Sequence, residues 1–131
     1  LKDTVIISAT GKIFELMSRS KTAWVLKTDT ISAAKGVIVQ STIPADKKSL
    51  IFYVLNYGKN PSKVTFDISA FKPTAKEAYI RTVSCDDPLG GNAVSRKTKV
   101  VSSEKAVKLT NLRKPTFPVM PGSVNEITIR L

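Results

Sequence analysis

Short runs of β-branched and aromatic residues, each broken by turn residues, recur along the whole sequence and constrain its fold more than any other feature. The strongest run is Ser49-Leu50-Ile51-Phe52-Tyr53-Val54-Leu55-Asn56. It is apolar on both faces, which predicts a central strand buried from two sides. Earlier runs occupy residues 4–8, 22–26 and 36–41. After a turn cluster at 57–62, Val64, Phe66 and Ile68 alternate with Lys63, Thr65 and Asp67, the pattern of a half-buried strand. That strand and the central one are expected to form an antiparallel hairpin with a long loop.

Residues 77–83 form the next expected strand, followed by an irregular loop at 87–92 built on Pro88, Gly90 and Gly91. Two shorter strands are expected at 99–101 and 106–109, and clean alternation closes the chain over 126–131. Strands spaced about 8–12 residues apart, with turns between them, indicate an all-β fold. We expect a single domain over residues 1–131, an antiparallel β-sandwich of about eight strands. Near residues 12–19, Ile13, Leu16 and Met17 fall at helical spacing and Glu15 lies four before Arg19. That stretch is expected to hold a short helical turn.

A length of 131 residues suits one core without disulfides or metals to staple it. The 42% hydrophobic and 24% charged content is that of an ordinary globular domain rather than a disordered chain. No apolar run reaches the roughly 20 residues that span a bilayer, and no signal-peptide pattern opens the sequence. There is no histidine, which removes the Ser-His-Asp triad, the Cys-His pair and every histidine metal site from consideration. The single cysteine, Cys85, stands beside Asp86 and Asp87. Neighbouring carboxylates raise a thiol pKa, so Cys85 reads as a packing residue rather than a nucleophile.

With ten carboxylates and no histidine, paired acids are the one catalytic arrangement the composition permits. A glycosidase pair needs carboxyl groups roughly 5–9.5 Å apart in a cleft. Asp86 and Asp87 are adjacent and precede Pro88, and they read as shaping that turn. Calcium on Asp86, Asp87 and Asn92 would be conceivable chemistry, but the EF-hand spacing is absent. Gly90-Gly91 lacks the lysine and the following helix of a phosphate loop. No metal and no cofactor are expected.

Exposed aromatic rings can stack on sugars, and Trp24, Tyr53, Tyr57 and Tyr79 are the candidates. Trp24 sits in an apolar run, where packing competes with ligand stacking, whereas Tyr57 lies in a turn. The formal charge of +11 is scattered, and it is densest from Arg96 through Lys99, Lys105, Lys108, Arg113 and Lys114. No aromatic is interleaved there, so the stretch reads as a solvated face rather than a nucleic-acid platform.

The order of features carries a resemblance. Gly11-Lys12-Ile13-Phe14-Glu15-Leu16-Met17-Ser18 precedes a strand, and Leu50-Ile51-Phe52-Tyr53-Val54-Leu55-Asn56-Tyr57 follows later. The chain then runs through residues 64–68, the Asp86-Asp87 loop and Phe117-Pro118-Val119-Met120-Pro121-Gly122-Ser123-Val124 into a terminal strand. This resembles the C-terminal β-sandwich that follows the (β/α)₈ barrel in retaining glycoside hydrolases of the arabinofuranosidase, xylosidase and agarase type.

The resemblance implies that residues 1–20 form the crossing from a catalytic barrel, with Ile13, Phe14, Leu16, Met17 and Trp24 facing it. It also implies a secreted or periplasmic protein. The family's two catalytic glutamates lie in the barrel and match no position here, so the chain itself is expected to be non-catalytic. Its expected partner is the barrel, with polysaccharide a further one and no membrane contact. A carbohydrate-binding module and a basic nucleic-acid-binding domain are the rival readings. An exposed apolar patch near Phe14, Leu16 and Trp24 is expected if the barrel is the partner.

Overall fold

The computed structural model describes residues 15–18, 22–29, 35–85 and 100–131. Eight strands appear among them: β1 (Thr22–Leu26), β2 (Val37–Pro44), β3 (Ser49–Asn56), β4 (Ser62–Thr65), β5 (Glu77–Cys85), β6 (Val100–Lys108), β7 (Thr116–Val119) and β8 (Ser123–Arg130). Six form one antiparallel sheet in the order β1-β2-β3-β8-β5-β6, and β4 pairs with β7 in a second sheet. The all-β sandwich expected from the sequence is the fold observed.

Register follows from which residues must be buried. Leu50 lies opposite Ile129, which lies opposite Ala78, and Phe52, Ile127 and Ile80 form the next such row. All six are buried. These rows define the inner face, and Val64, Phe66, Ile68, Phe117 and Val119 close over it from the β4–β7 side. Phe66 joins the layers, stacking on Phe52 at 4.0 Å between centroids and lying tilted 6.0 Å from Phe117. Offset and tilted aromatic pairs add to the gain from burial alone.

The central strand stands third in the six-stranded sheet, with β2 on one side and β8 on the other. Both of its edges are therefore occupied, and the expected hairpin between β3 and β4 does not form. The chain instead leaves the large sheet after Asn56 and β4 pairs with β7. Pro118 has no N–H to donate, which suits a two-stranded ribbon better than a sheet interior. Asn56 makes this exit rigid. Its Nδ2 donates to the carbonyls of Asn60 and Val119, and its Oδ1 accepts from the Gly58 amide.

The two short strands expected at 99–101 and 106–109 are one nine-residue edge strand, β6, paired continuously with β5 from Glu77↔Lys108 to Cys85↔Val100. Its Ser102-Ser103-Glu104-Lys105 centre is exposed, so hydrophobic alternation breaks while backbone pairing continues. Charged residues also discourage further pairing along such an edge. The strand expected at residues 4–8, the 86–99 segment and the side chain of Cys85 lie outside the described residues.

Candidate functional site

The outer face of the six-stranded sheet carries its polar chemistry in one row. Tyr53 on β3 lies opposite Glu126 on β8, Glu126 opposite Arg81 on β5, and Arg81 opposite Glu104 on β6. Glu126 and Arg81 are buried. Arg81 Nε donates to Glu126 Oε1 at 2.7 Å, its Nη2 donates to the same oxygen, and the Tyr53 hydroxyl donates to Oε2 at 3.0 Å. Both carboxylate oxygens of Glu126 are thus occupied. The Tyr79 hydroxyl donates to Glu104 in turn.

Residues 15–18 form a helical turn over this row. Arg81 Nη2 donates to the Leu16 carbonyl at 3.2 Å, which ties the turn to the sheet. The cleft between them, lined by Glu15, Leu16, Arg81 and Val83, holds only about 50 Å³. That is room for a water or two, not for a sugar ring. The row is therefore a structural clasp rather than a pocket for substrate.

Tyr53 and Tyr79 both face outward, but β8 separates them and each hydroxyl is engaged by a carboxylate. Tyr57 is 66% exposed in the turn after β3, at one end of the sandwich. Trp24 is 50% exposed on edge strand β1, near the opposite end, with the Lys47 ammonium 5.6 Å above its ring. The four aromatics do not converge on one platform.

The expected barrel-facing residues divide. Ile13 and Phe14 lie outside the described residues. Leu16 is 6% exposed and covered within this chain. Met17, one residue on, is 42% exposed. Val25 and Ile38 are exposed on the outer face of β1 and β2, across β3 and β8 from the turn. Sequence reasoning missed the Arg81–Glu126 clasp. Its one visible trace is a pair of opposite charges at outward positions of two strands, because long-range register is not written in either strand alone.

No protein-family model matches the chain, and no curated protein is similar to it. Solved structures are. An arabinose-bound family 51 α-L-arabinofuranosidase superimposes with a TM-score of 0.84 at 15% identity, over 98% of this chain and 20% of that one. The α-L-arabinofuranosidase of Thermotoga maritima gives 0.76 at 18% identity, over 100% of this chain and 30% of its own. A family 44 xyloglucanase of Paenibacillus polymyxa gives 0.54 at 13% identity, covering 73% and 17%. The likeness is one of fold. The chain spans between a fifth and a third of the arabinofuranosidases that it matches.

Proposed function

We propose that this chain is a non-catalytic β-sandwich domain of a polysaccharide-degrading glycoside hydrolase, and that it packs on and supports a catalytic barrel. The observation that carries this reading is the coverage. Nearly all of this chain matches about a fifth of an arabinofuranosidase, at a TM-score of 0.84. The remainder of such a chain is where a catalytic domain belongs.

Three features of the molecule support the reading. The outer face is held by a buried ion pair, and the cleft beside it is too small for a sugar ring. The helical turn at 15–18 precedes β1 and leaves Met17 open, on the side from which a preceding domain would enter. Val25 and Ile38 give the rim of the same face an apolar character suited to an interdomain contact.

The test is the polypeptide encoded upstream of Leu1. The reading expects a (β/α)₈ barrel there with carboxylates at its strand ends. It also expects arabinofuranosidase or xylosidase activity in the longer polypeptide and none in residues 1–131 alone. Turnover of 4-nitrophenyl arabinofuranoside by the isolated chain would contradict it, as would an upstream sequence with no barrel.

A further inference from the structure

Among the described residues, the fold gathers at one end cations that the sequence leaves as a solvated face. The β2–β3 connection brings Lys47 and Lys48 to one end of the sandwich, and the segment between β4 and β5 brings Lys72 and Lys76. The same end receives Lys108 from β6, Arg113 and Lys114 from the β6–β7 connection, and Arg130 from β8. Against these cations stand only Asp46, Asp67 and Glu77 among the described residues at that end.

Within this end lies an open groove of about 600 Å³, lined by Ser69, Lys72, Pro73, Leu112 and Arg113. The groove is shallow and half open to solvent, so it suits an extended polymer lying on the surface rather than an enclosed small ligand. The two connections are joined by backbone bonds, the Ile68 amide donating to the Arg113 carbonyl and the Phe66 amide to the Pro115 carbonyl. Lys72 holds the left-handed conformation at φ 49°, where the chain reverses after a 3₁₀ turn (Ser69–Phe71). Asp67 is occupied by the Ser69 hydroxyl at 2.7 Å and by Lys114 at 3.6 Å. Neither the Lys72 ammonium nor the Arg113 guanidinium has a carboxylate or hydrogen-bond partner among the described residues.

We infer that this groove binds the carboxylate-bearing sugars of an acidic polysaccharide, with Lys72 and Arg113 engaging a uronate carboxylate. Buried Pro73 and half-buried Leu112 offer an apolar floor for the C–H face of the ring. A planar guanidinium matches a carboxylate bidentately, and both cations are open to solvent to receive one. The groove lacks the aromatic side chains on which nucleic-acid bases stack. The polysaccharide class rests on the function proposed above, whereas the anionic chemistry rests on the groove alone.

Affinity electrophoresis of the full chain tests the inference, with polygalacturonate, neutral arabinan or duplex DNA cast into the gel. Retardation by polygalacturonate is expected, weakening as salt rises. The Lys72→Asn, Arg113→Gln double variant should lose roughly tenfold in affinity. Asn is chosen because it tolerates the left-handed backbone. A Lys35→Ala, Lys59→Ala variant removes the same charge at the opposite end and should bind as the parent does.

No retardation by polygalacturonate would overturn the inference, as would equal loss in both double variants. DNA binding as tight as polygalacturonate binding, lost in the same variant, would make the groove a general polyanion surface and overturn it as well. None of these results bears on whether the outer face packs on a barrel, which the upstream sequence decides separately.

Discussion

Arg81 and Glu126 face one another across β5 and β8, both buried, and the same guanidinium reaches the Leu16 carbonyl. A single ion pair thereby holds the helical turn at residues 15–18 against the outer face of the sheet. A buried pair gains little over a well-packed apolar pair, but removing one partner strands a charge. Arg81→Ala or Glu126→Gln should each lower stability by about 3–5 kcal/mol. The double change Arg81→Leu, Glu126→Leu should lose much less than the sum of the two single losses. Urea denaturation of the three variants measures this, and strictly additive losses would show that the two side chains act independently.

The aromatic stack between the layers predicts a contrast. Phe66→Ala opens a cavity between Phe52 and Phe117 and should cost about 3–5 kcal/mol. Phe71, exposed at the 3₁₀ turn, should cost about 1 kcal/mol or less when cut to Ala. Similar midpoints for the two variants in a denaturant titration would place the core elsewhere.

The inward placement of Phe66 is legible in the sequence, and the pairing of the strand before it is not. Alternation along 63–68 places Phe66 inward, and the doubly apolar 49–56 run places β3 at the centre, because side-chain period reports burial directly. The pairing of β4 with β7 was hidden. Turn spacing suggests a hairpin, but pairing depends on which strand edges are already taken, and the edge of β3 not held by the preceding β2 is held by β8, from the far end of the chain. The basic groove was hidden for the same reason. Lys72 and Arg113 are 41 residues apart in sequence and line one groove because β4 pairs with β7 and backbone bonds from Phe66 and Ile68 join the two connections.

Gly36 carries a backbone prediction. It sits at φ 87°, and a Cβ built on it would lie 2.7 Å from the Gly58 Cα. Gly36→Ala should therefore destabilise by roughly 1–3 kcal/mol, combining left-handed strain with the collision. Thermal unfolding of the variant checks this, and an unchanged midpoint would mean that the two turns separate without loss.

Asp67 sets a pH dependence. The Ser69 hydroxyl, then the Ser69 amide, and Lys114 beyond them hold its carboxyl below the ordinary 3.8. With a folded value below the unfolded one, its stabilising contribution is complete above the unfolded pKa and is lost as pH falls through the folded value. The stability difference between the parent and Asp67→Asn should accordingly be constant near neutrality and shrink below about pH 4. The side chain is exposed, so the difference is small throughout. A difference that grows on acidification would contradict the assignment.

The central claim, that the face bearing the helical turn packs on a preceding domain, is tested most directly by oxidative footprinting of the two methionines. Met17 and Met120 are both exposed in the 131-residue chain, at 42% and 57%, and oxidation of Met follows its exposure. Met120 lies in the turn between β7 and β8, away from the outer face. In a polypeptide that carries the proposed preceding barrel, Met17 should be protected while Met120 oxidises as before. Equal oxidation of Met17 in the short and long polypeptides would contradict the account.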